Sequence, residues 1–348
     1  MTTKIPLYHL KNICHYYGPT KVLDIDELKI KKGSITGLIG PNGSGKTTLL
    51  KLLAFAQKPT EGQIFYKGRN EFPFSKNIRS KITLLTQKPY LLKRSVFENI
   101  AYGLKIKKES KTLKDINSFE KRVGKALLNV GLDYKEFKDR KWHELSGGEA
   151  QRVAMAARLI LQPEVLLLDE PIASVDAKSA KLIRKASLNA QKKWGATLII
   201  ASHDLQWLYS ICDKQLAMFK GKLFSTGVEN IISGPFEKQD EQTLIKRLND
   251  SQLIKLPAPA KLPCNAIIKK KNILLALEKQ EEHGTLNQLS GQVASMLLEE
   301  KTSLVMATIT IHDISFVIRV SPDEITDLEL YPGKKIILKF YLDDIEWI

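Results

Sequence analysis

The chain has 348 residues, 43% of them hydrophobic and 26% charged, so it can bury sizeable cores and is not globally disordered. Its length suggests two domains, and no uncharged apolar run is long enough to read as a membrane-spanning helix. The net charge of +16 has two readings, a solvated basic face or a surface that approaches anionic lipid; lysine runs such as Lys269-Lys270-Lys271 lack the interleaved aromatics of a single-strand-binding surface, so no nucleic-acid partner is expected.

The start, Met1 to Pro6, lacks the apolar core of a signal peptide, and Cys14, Cys212 and Cys264 are too scattered for a metal site or disulfide framework. A cytoplasmic chain is expected. The first 230 or so residues alternate short apolar runs with helical patterns, the mark of an α/β fold with a parallel sheet covered by helices. Ile35 to Ile39 reads as a buried strand, followed by the loop Gly40-Pro41-Asn42-Gly43-Ser44-Gly45-Lys46-Thr47 and a helix from Thr47 to Phe55. Strand, glycine-rich loop and helix in this order let backbone N–H groups surround phosphate oxygens. In such a loop Lys46 reaches the β- and γ-phosphates, Thr47 offers a hydroxyl to Mg²⁺, and Thr48 hydrogen-bonds nearby.

Ile82 to Leu85 is a further short strand, and Phe119, Val123, Leu127 and Val130 form a helical stripe within 115–130. The strand Val165 to Leu168 ends in Asp169 and Glu170, where carboxylates emerge at the ligand crevice of an α/β sheet. Alone, such a pair is often a helix cap; together with the phosphate loop it suits Asp169 to hold Mg²⁺ and Glu170 to orient or deprotonate an attacking water. Leu198 to Ala201 forms another strand, and His203 follows it.

Residues 235–284 carry prolines, charge clusters and no sustained period, and read as a connector with some local structure. From 285 to 348 the pattern alternates, with Ile309 and Ile311, then Phe316, Ile318 and Val320, then Ile336, Leu338, Phe340 and Leu342 on one face. Turn signals at Ser321-Pro322-Asp323 and Tyr331-Pro332-Gly333 divide the strands of a small β-barrel-like domain.

One further motif, Leu145-Ser146-Gly147-Gly148-Glu149, followed by Ala150, Gln151 and Arg152, lies between the phosphate loop and the acidic pair. Ser146 and the glycine backbones at a helix start offer donors and a positive dipole end to an anion. The three elements, each present once and in this order, resemble the ATP-binding-cassette (ABC) ATPases over about residues 7 to 230. The resemblance implies a P-loop NTPase cassette (1–234) with a helical subdomain, whose cofactors are ATP and Mg²⁺. It implies that Leu145 to Glu149 face the γ-phosphate of ATP held by a second protomer, so that two ATP molecules are sandwiched head to tail in a homodimer. By position it assigns Tyr17 to stacking on adenine, with adjacent Tyr16 the other choice, and Gln87 to Mg²⁺ and water. It assigns His203 to the γ-phosphate and Asp176, in Ala173-Ser174-Val175-Asp176, to the loop crossing the dimer interface. Glu149 stands where Gln is commoner, a variant familiar in importer subunits.

The run Ser95 to Leu104 looks like the helical subdomain of importers of small anions, sugars or polyamines, and the cassette looks like those of tungstate and molybdate importers. The segment 285–348 is similar, at Asn287 to Val293, Ser321 to Thr326 and Leu330 to Lys334, to the oligonucleotide-binding-like transport-associated (TOBE) domain and its molybdate-binding variant. Such a domain either binds oxyanion or only helps to dimerise. The implied protein is an ATP-hydrolysing importer subunit at the cytoplasmic face of the cell membrane, docked near Gln87 to Tyr102 on two integral-membrane permease subunits and served indirectly by an extracytoplasmic solute-binding protein. Sulfate, iron, sugar or polyamine stand behind the oxyanion as cargo, and a soluble ABC ATPase acting on ribosomes or nucleic acid is the alternative from another class.

Overall fold

Alternating apolar residues make Tyr8–Tyr17 (β1) and Thr20–Ile30 (β2) an antiparallel ribbon, with Tyr8 opposite Ile30 and Ile13 opposite Ile25. The computed structural model describes residues 5–73, 75, 78, 81–106, 116–224, 230–259, 265–280, 285–300 and 302–347. They fall into two compact units, residues 1–208 with 212–223, and 209–211 with 224–348.

In the first unit every residue of Ile35–Ile39 (β3) is buried, as expected of a strand covered on both faces. Lys46–Leu53 (α1) follows the phosphate loop. Glu61–Tyr66 (β4) and Arg69–Asn70 (β5) join the ribbon in the order β2-β1-β4-β5. Then come Ile82–Leu85 (β6), the helices Val96–Ile106 (α2), Ile116–Asn129 (α3), Tyr134–Phe137 (α4) and Gly147–Leu159 (α5), and Val165–Asp169 (β7). Ala177–Trp194 (α6), Thr197–Ala201 (β8), Leu205–Ile211 (α7), Lys214–Phe219 (β9) and Lys222–Phe224 (β10) complete the series, with 209–211 of α7 and residue 224 of β10 grouped in the second unit.

The main sheet runs β10-β9-β3-β8-β7-β6, and the pairs from β9 to β6 are parallel. Helix α1 is buried through Leu49, Leu50, Leu52 and Leu53, which share one core with Leu10 and Ile13 of the ribbon and with Leu38, Leu167 and Ile199 of the main sheet. A helix apolar on more than one side is the piece that two sheets can close over. Each such side chain contributes roughly 1.5–3 kcal/mol on burial. The helix ends at Leu53, short of the Phe55 expected from sequence, because Phe55 itself turns into the left-handed region at φ 52°.

In the second unit, Asn230–Ser233 (β11), Glu237–Lys238 (β12), Thr243–Arg247 (β13), Leu253–Pro257 (β14), Asn265–Ile268 (β15) and Leu274–Ala276 (β16) precede the long strand Leu286–Glu299 (β17). Leu304–Ile311 (β18), Ile314–Val320 (β19), the short helix Pro322–Asp327 (α8), Lys335–Tyr341 (β20) and Ile345–Trp347 (β21) follow. The sheets are β16-β20-β17-β18-β19, β11-β15-β21 and β12-β13-β14, and Phe316, Ile318, Leu338 and Phe340 fill their shared core. Ile254, Leu256, Ala266 and Ile268, from the stretch read as a connector, enter that same core. Their strands are short and broken by prolines and charges, which hides the alternation. Residues 260–264, with Cys264, and 281–284 lie outside the described residues. Ser321 begins a helix instead of a simple turn: its hydroxyl accepts from the Glu324 N–H at 3.2 Å, and the Glu324 carboxylate accepts from the Ser321 N–H at 2.8 Å. Among the described residues no helix is long and apolar enough to cross a membrane.

Candidate functional site

Strand order builds the site. The C-terminal ends of β3, β8, β7 and β6 lie side by side, and they carry the phosphate loop, His203, the acids Asp169 and Glu170, and Gln87 in that sequence. The loop is shaped by glycines that nothing else could replace. A Cβ on Gly40, at φ 155°, would lie 2.2 Å from the Met218 carbonyl oxygen, and one on Gly45, at φ 106°, would lie 2.9 Å from that of Val22. Lys46 is buried and its Nζ donates back to the carbonyls of Gly40 at 2.6 Å and Pro41 at 3.1 Å, which ties the loop into a ring. Burial pushes the Lys46 ammonium down, and the nearby carboxylates of Glu170 and Asp169 push it back up.

Two features of the loop fit an incoming phosphate. The Ser44 hydroxyl is buried without a hydrogen-bond partner, and open space adjoins Gly43. A buried unsatisfied hydroxyl costs on the order of 1–3 kcal/mol, which an anion's oxygen would recover.

Behind the loop, Thr47 hydrogen-bonds the Asp169 carboxyl, whose pKa is raised by burial and lowered in part by that bond and by Lys46. Glu170 sits at φ 45°, a left-handed conformation that costs a non-glycine residue about 1–3 kcal/mol. Its N–H donates to the Ala201 carbonyl at 2.9 Å, which pins the turn to the end of β8. Burial raises the Glu170 carboxyl, opposed by the charge of His203. Glu170 Oε2 accepts from the His203 backbone N–H at 3.3 Å. His203 Nε2 stands 3.3 Å from Oε1, within ion-pair range but without hydrogen-bond geometry, so Oε1 stays a buried acceptor with no hydrogen bond. The same Nε2 lies 3.1 Å from Asn42 Oδ1 and so links the phosphate loop to the acidic pair.

Elsewhere the predicted residues stand apart. Tyr17 is 45% exposed and its hydroxyl donates to Gln57 Oε1 at 3.0 Å. Gln87 is exposed just beyond β6, and Thr48 is buried in the first turn of α1. The motif 145–149 starts α5: the Ser146 hydroxyl accepts from the Glu149 N–H at 3.3 Å, and the Glu149 carboxylate accepts from the Ser146 N–H at 2.8 Å. Glu149, held low first by that backbone N–H, also lies 3.6 Å from Arg140. Gly148 permits a close approach, since a Cβ there would lie 2.7 Å from Asp176 Oδ2. Asp176 caps α6 by accepting from the Ser179 N–H at 2.9 Å and hydroxyl at 2.7 Å. Among the described residues, no hydrogen bond joins residues 145–149 to the phosphate loop.

The profile of the ABC transporter family matches residues 23–173. The tungstate uptake system ATP-binding protein TupC of Peptoclostridium acidaminophilum is 38% identical over 214 residues, 62% of this chain and 95% of that one. The chain belongs to the ABC transporter family. As an ABC ATPase it hydrolyses ATP, and its first unit has the cassette fold. A spermidine/putrescine import ATP-binding protein, PotA of Mesoplasma florum, is 37% identical over 66% of this chain, and the match spans 64% of that relative's length. A solved dimeric ATP-binding cassette in a post-hydrolysis state with ADP and Pi superimposes with a TM-score of 0.57 at 26% identity, covering 62% of this chain and 96% of that one.

Within this ABC cassette, two contacts had no sequence signal: the Asn42 to His203 link, made by residues 161 positions apart, and the buried Gln151, whose side chain donates to two main-chain carbonyls. A polar residue on the inner face of an otherwise apolar helix, next to Val153 and Ala154, is the trace that could have marked Gln151.

Proposed function

We propose that the chain is the ATP-hydrolysing subunit of an ABC importer, working as a head-to-tail homodimer under two integral-membrane permease subunits at the cytoplasmic face of the membrane. The observation that carries it is the Glu170 carboxylate, buried, pinned at an unusual backbone angle, and left with one oxygen free to accept a hydrogen bond. That oxygen suits the attacking water, which Glu170 orients and deprotonates. Lys46 leaves the loop carbonyls to donate to the β- and γ-phosphates, and the loop N–H groups and the Ser44 hydroxyl complete the cradle. Thr47 and Asp169, already hydrogen-bonded to each other, fit Mg²⁺, with Gln87 entering from the end of β6. When bound, Mg²⁺ would supply positive charge to offset that of the phosphates. His203 holds Glu170 through its N–H and the γ-phosphate through its ring. Tyr17 supplies the adenine platform, and Leu145 to Glu149 present the α5 N-terminus to ATP held by the partner, with Asp176 at the crossing loop.

The oxyanions tungstate and molybdate are the proposed cargo, supported by the tungstate relative, which matches along 95% of its length. In this reading the second unit is a TOBE/Mop-like domain that takes in 235–284 as well as 285–348, and the cassette ends near residue 223. Polyamine uptake is the second reading, favoured by the relative named for spermidine and putrescine. The test is ATP hydrolysis in vesicles holding the chain, its permease and its solute-binding protein. Stimulation by tungstate or molybdate supports the oxyanion, stimulation by spermidine supports the second reading, and no stimulation by any solute overturns the importer assignment.

A further inference from the structure

The side chain of Gln151 is 2% exposed, in a helix whose neighbouring inward residues are apolar. Its Nε2 donates to the carbonyl of Thr86 at 3.3 Å and to the carbonyl of Pro171 at 3.2 Å. Carbonyl oxygens cannot donate, so the chemistry of both partners fixes which end of the amide faces them. Thr86 immediately precedes Gln87, and Pro171 immediately follows Glu170. One buried amide therefore spans the two chain segments that leave β6 and β7.

A second clamp lies two turns further along the same helix face. The Arg158 side chain is half-buried, and its Nε donates to the Leu84 carbonyl at 3.3 Å. Gln151 and Arg158 are seven residues apart, on one face of α5, and Leu84 and Thr86 are two apart, so their carbonyls leave the same side of β6. Helix α5 thus grips β6 at two points and cannot slide without moving its exit. At its N-terminus the same helix presses Gly148 against Asp176, the cap of α6.

The geometry points to Gln151 as a positioning residue that couples the start of α5 to the hydrolytic carboxylate of its own protomer. This rests on the proposed head-to-tail dimer, in which residues 145–149 attend the partner's ATP. Docking of the partner's nucleotide on the α5 N-terminus is then felt, through Gln151, at Thr86 and Pro171, the neighbours of Gln87 and Glu170. A purely packing role needs no donor here. An apolar residue of the same volume would avoid leaving Gln151 Oε1 buried without a hydrogen bond, as it is.

The test compares full-length wild type with Gln151→Met, which keeps the volume and removes both donated bonds, and with Gln151→Ala as a second variant, each first checked for a native melting transition. Fluorescent-nucleotide titration gives the affinity for ATP-Mg²⁺, and steady-state hydrolysis gives kcat, KM and the Hill coefficient. The inference expects nucleotide affinity within about twofold of wild type, kcat lowered about tenfold or more, and a Hill coefficient falling towards 1. It is overturned if the folded Gln151→Met chain keeps wild-type kcat and Hill coefficient. It is equally overturned if affinity and kcat fall together while cooperativity is retained, since that is general loosening. A wild-type chain that hydrolyses ATP without cooperativity overturns the dimer reading itself, and one that keeps its turnover after Glu170→Gln overturns Glu170 as the base; both are told apart by needing no Gln151 variant.

Discussion

His203 meets Glu170 twice: its backbone N–H donates to Oε2 at 3.3 Å, and its ring Nε2 stands 3.3 Å from Oε1. The carboxylate is oriented by a residue just beyond the adjacent strand β8, and Oε1 is left without a hydrogen bond. Replacing Glu170 with Gln removes the proposed base and keeps the shape. Turnover is expected to fall on the order of 10²–10⁴-fold with nucleotide affinity nearly unchanged, and the ATP-bound dimer should accumulate in light scattering. Equal turnover in both proteins would remove Glu170 from the role of base.

His203→Ala spares the carboxylate and removes its ring neighbour and the link to Asn42. A fall in kcat of about 10²-fold is expected, with ATP still bound, because a group aimed at developing charge is lost. Rapid-quench measurement of a single turnover separates this from slowed product release.

The same carboxyl makes a prediction in pH. Burial raises the Glu170 pKa above its unfolded value, opposed in part by His203. For an acid this means that the folded state resists ionisation. The cost is absent below the ordinary carboxylate pKa, grows from there up to the raised value, and is complete above it. Glu170→Gln avoids that cost, so its melting temperature should exceed that of wild type at pH 7 by about 2–4 °C per kcal/mol relieved. The two melting curves should converge near pH 4. Calorimetry across that window is the check, and a gap that widens towards acid would reverse the sign.

Lys46→Ala acts on binding instead. It deletes the two bonds to Gly40 and Pro41 that close the loop, and with them the cation proposed to meet the phosphates. Loss of a charge-assisted bond is worth about 1.5–3 kcal/mol, so ATP affinity should fall by roughly 10- to 100-fold in isothermal titration. Unchanged affinity would place the phosphates elsewhere.

Gly40→Ala tests the backbone. Its Cβ would lie 2.2 Å from the Met218 carbonyl oxygen in a conformation that favours glycine, so β3 and β9 must part or the loop must shift. A stability loss of about 2–4 kcal/mol is expected in chemical unfolding, together with loss of nucleotide binding. A stable variant that binds ATP normally would show that the loop can yield.

Periodicity and local order made much of this protein legible in its residues. The glycine-rich loop between β3 and α1, and the acids that end β7, are set by near neighbours in the chain, as is the alternation that buries Ile309, Phe316, Ile318 and Phe340 in the second unit. A backbone that must leave a strand and enter a helix within a few residues needs its glycines wherever the chain later folds. The strands within 235–284 were hidden because their short, interrupted runs find an apolar face only against β17 and its neighbours.

What the tertiary structure alone decided is adjacency. Nothing local says that β8 inserts between β3 and β7, and that order brings His203 within hydrogen-bond reach of both Asn42 and Glu170. Nor does the motif at 145–149 reveal that its helix holds, through Gln151, the exits of two strands. Side chains far apart in sequence meet only after the sheet is ordered, because distance along a chain constrains distance in space only over a few residues.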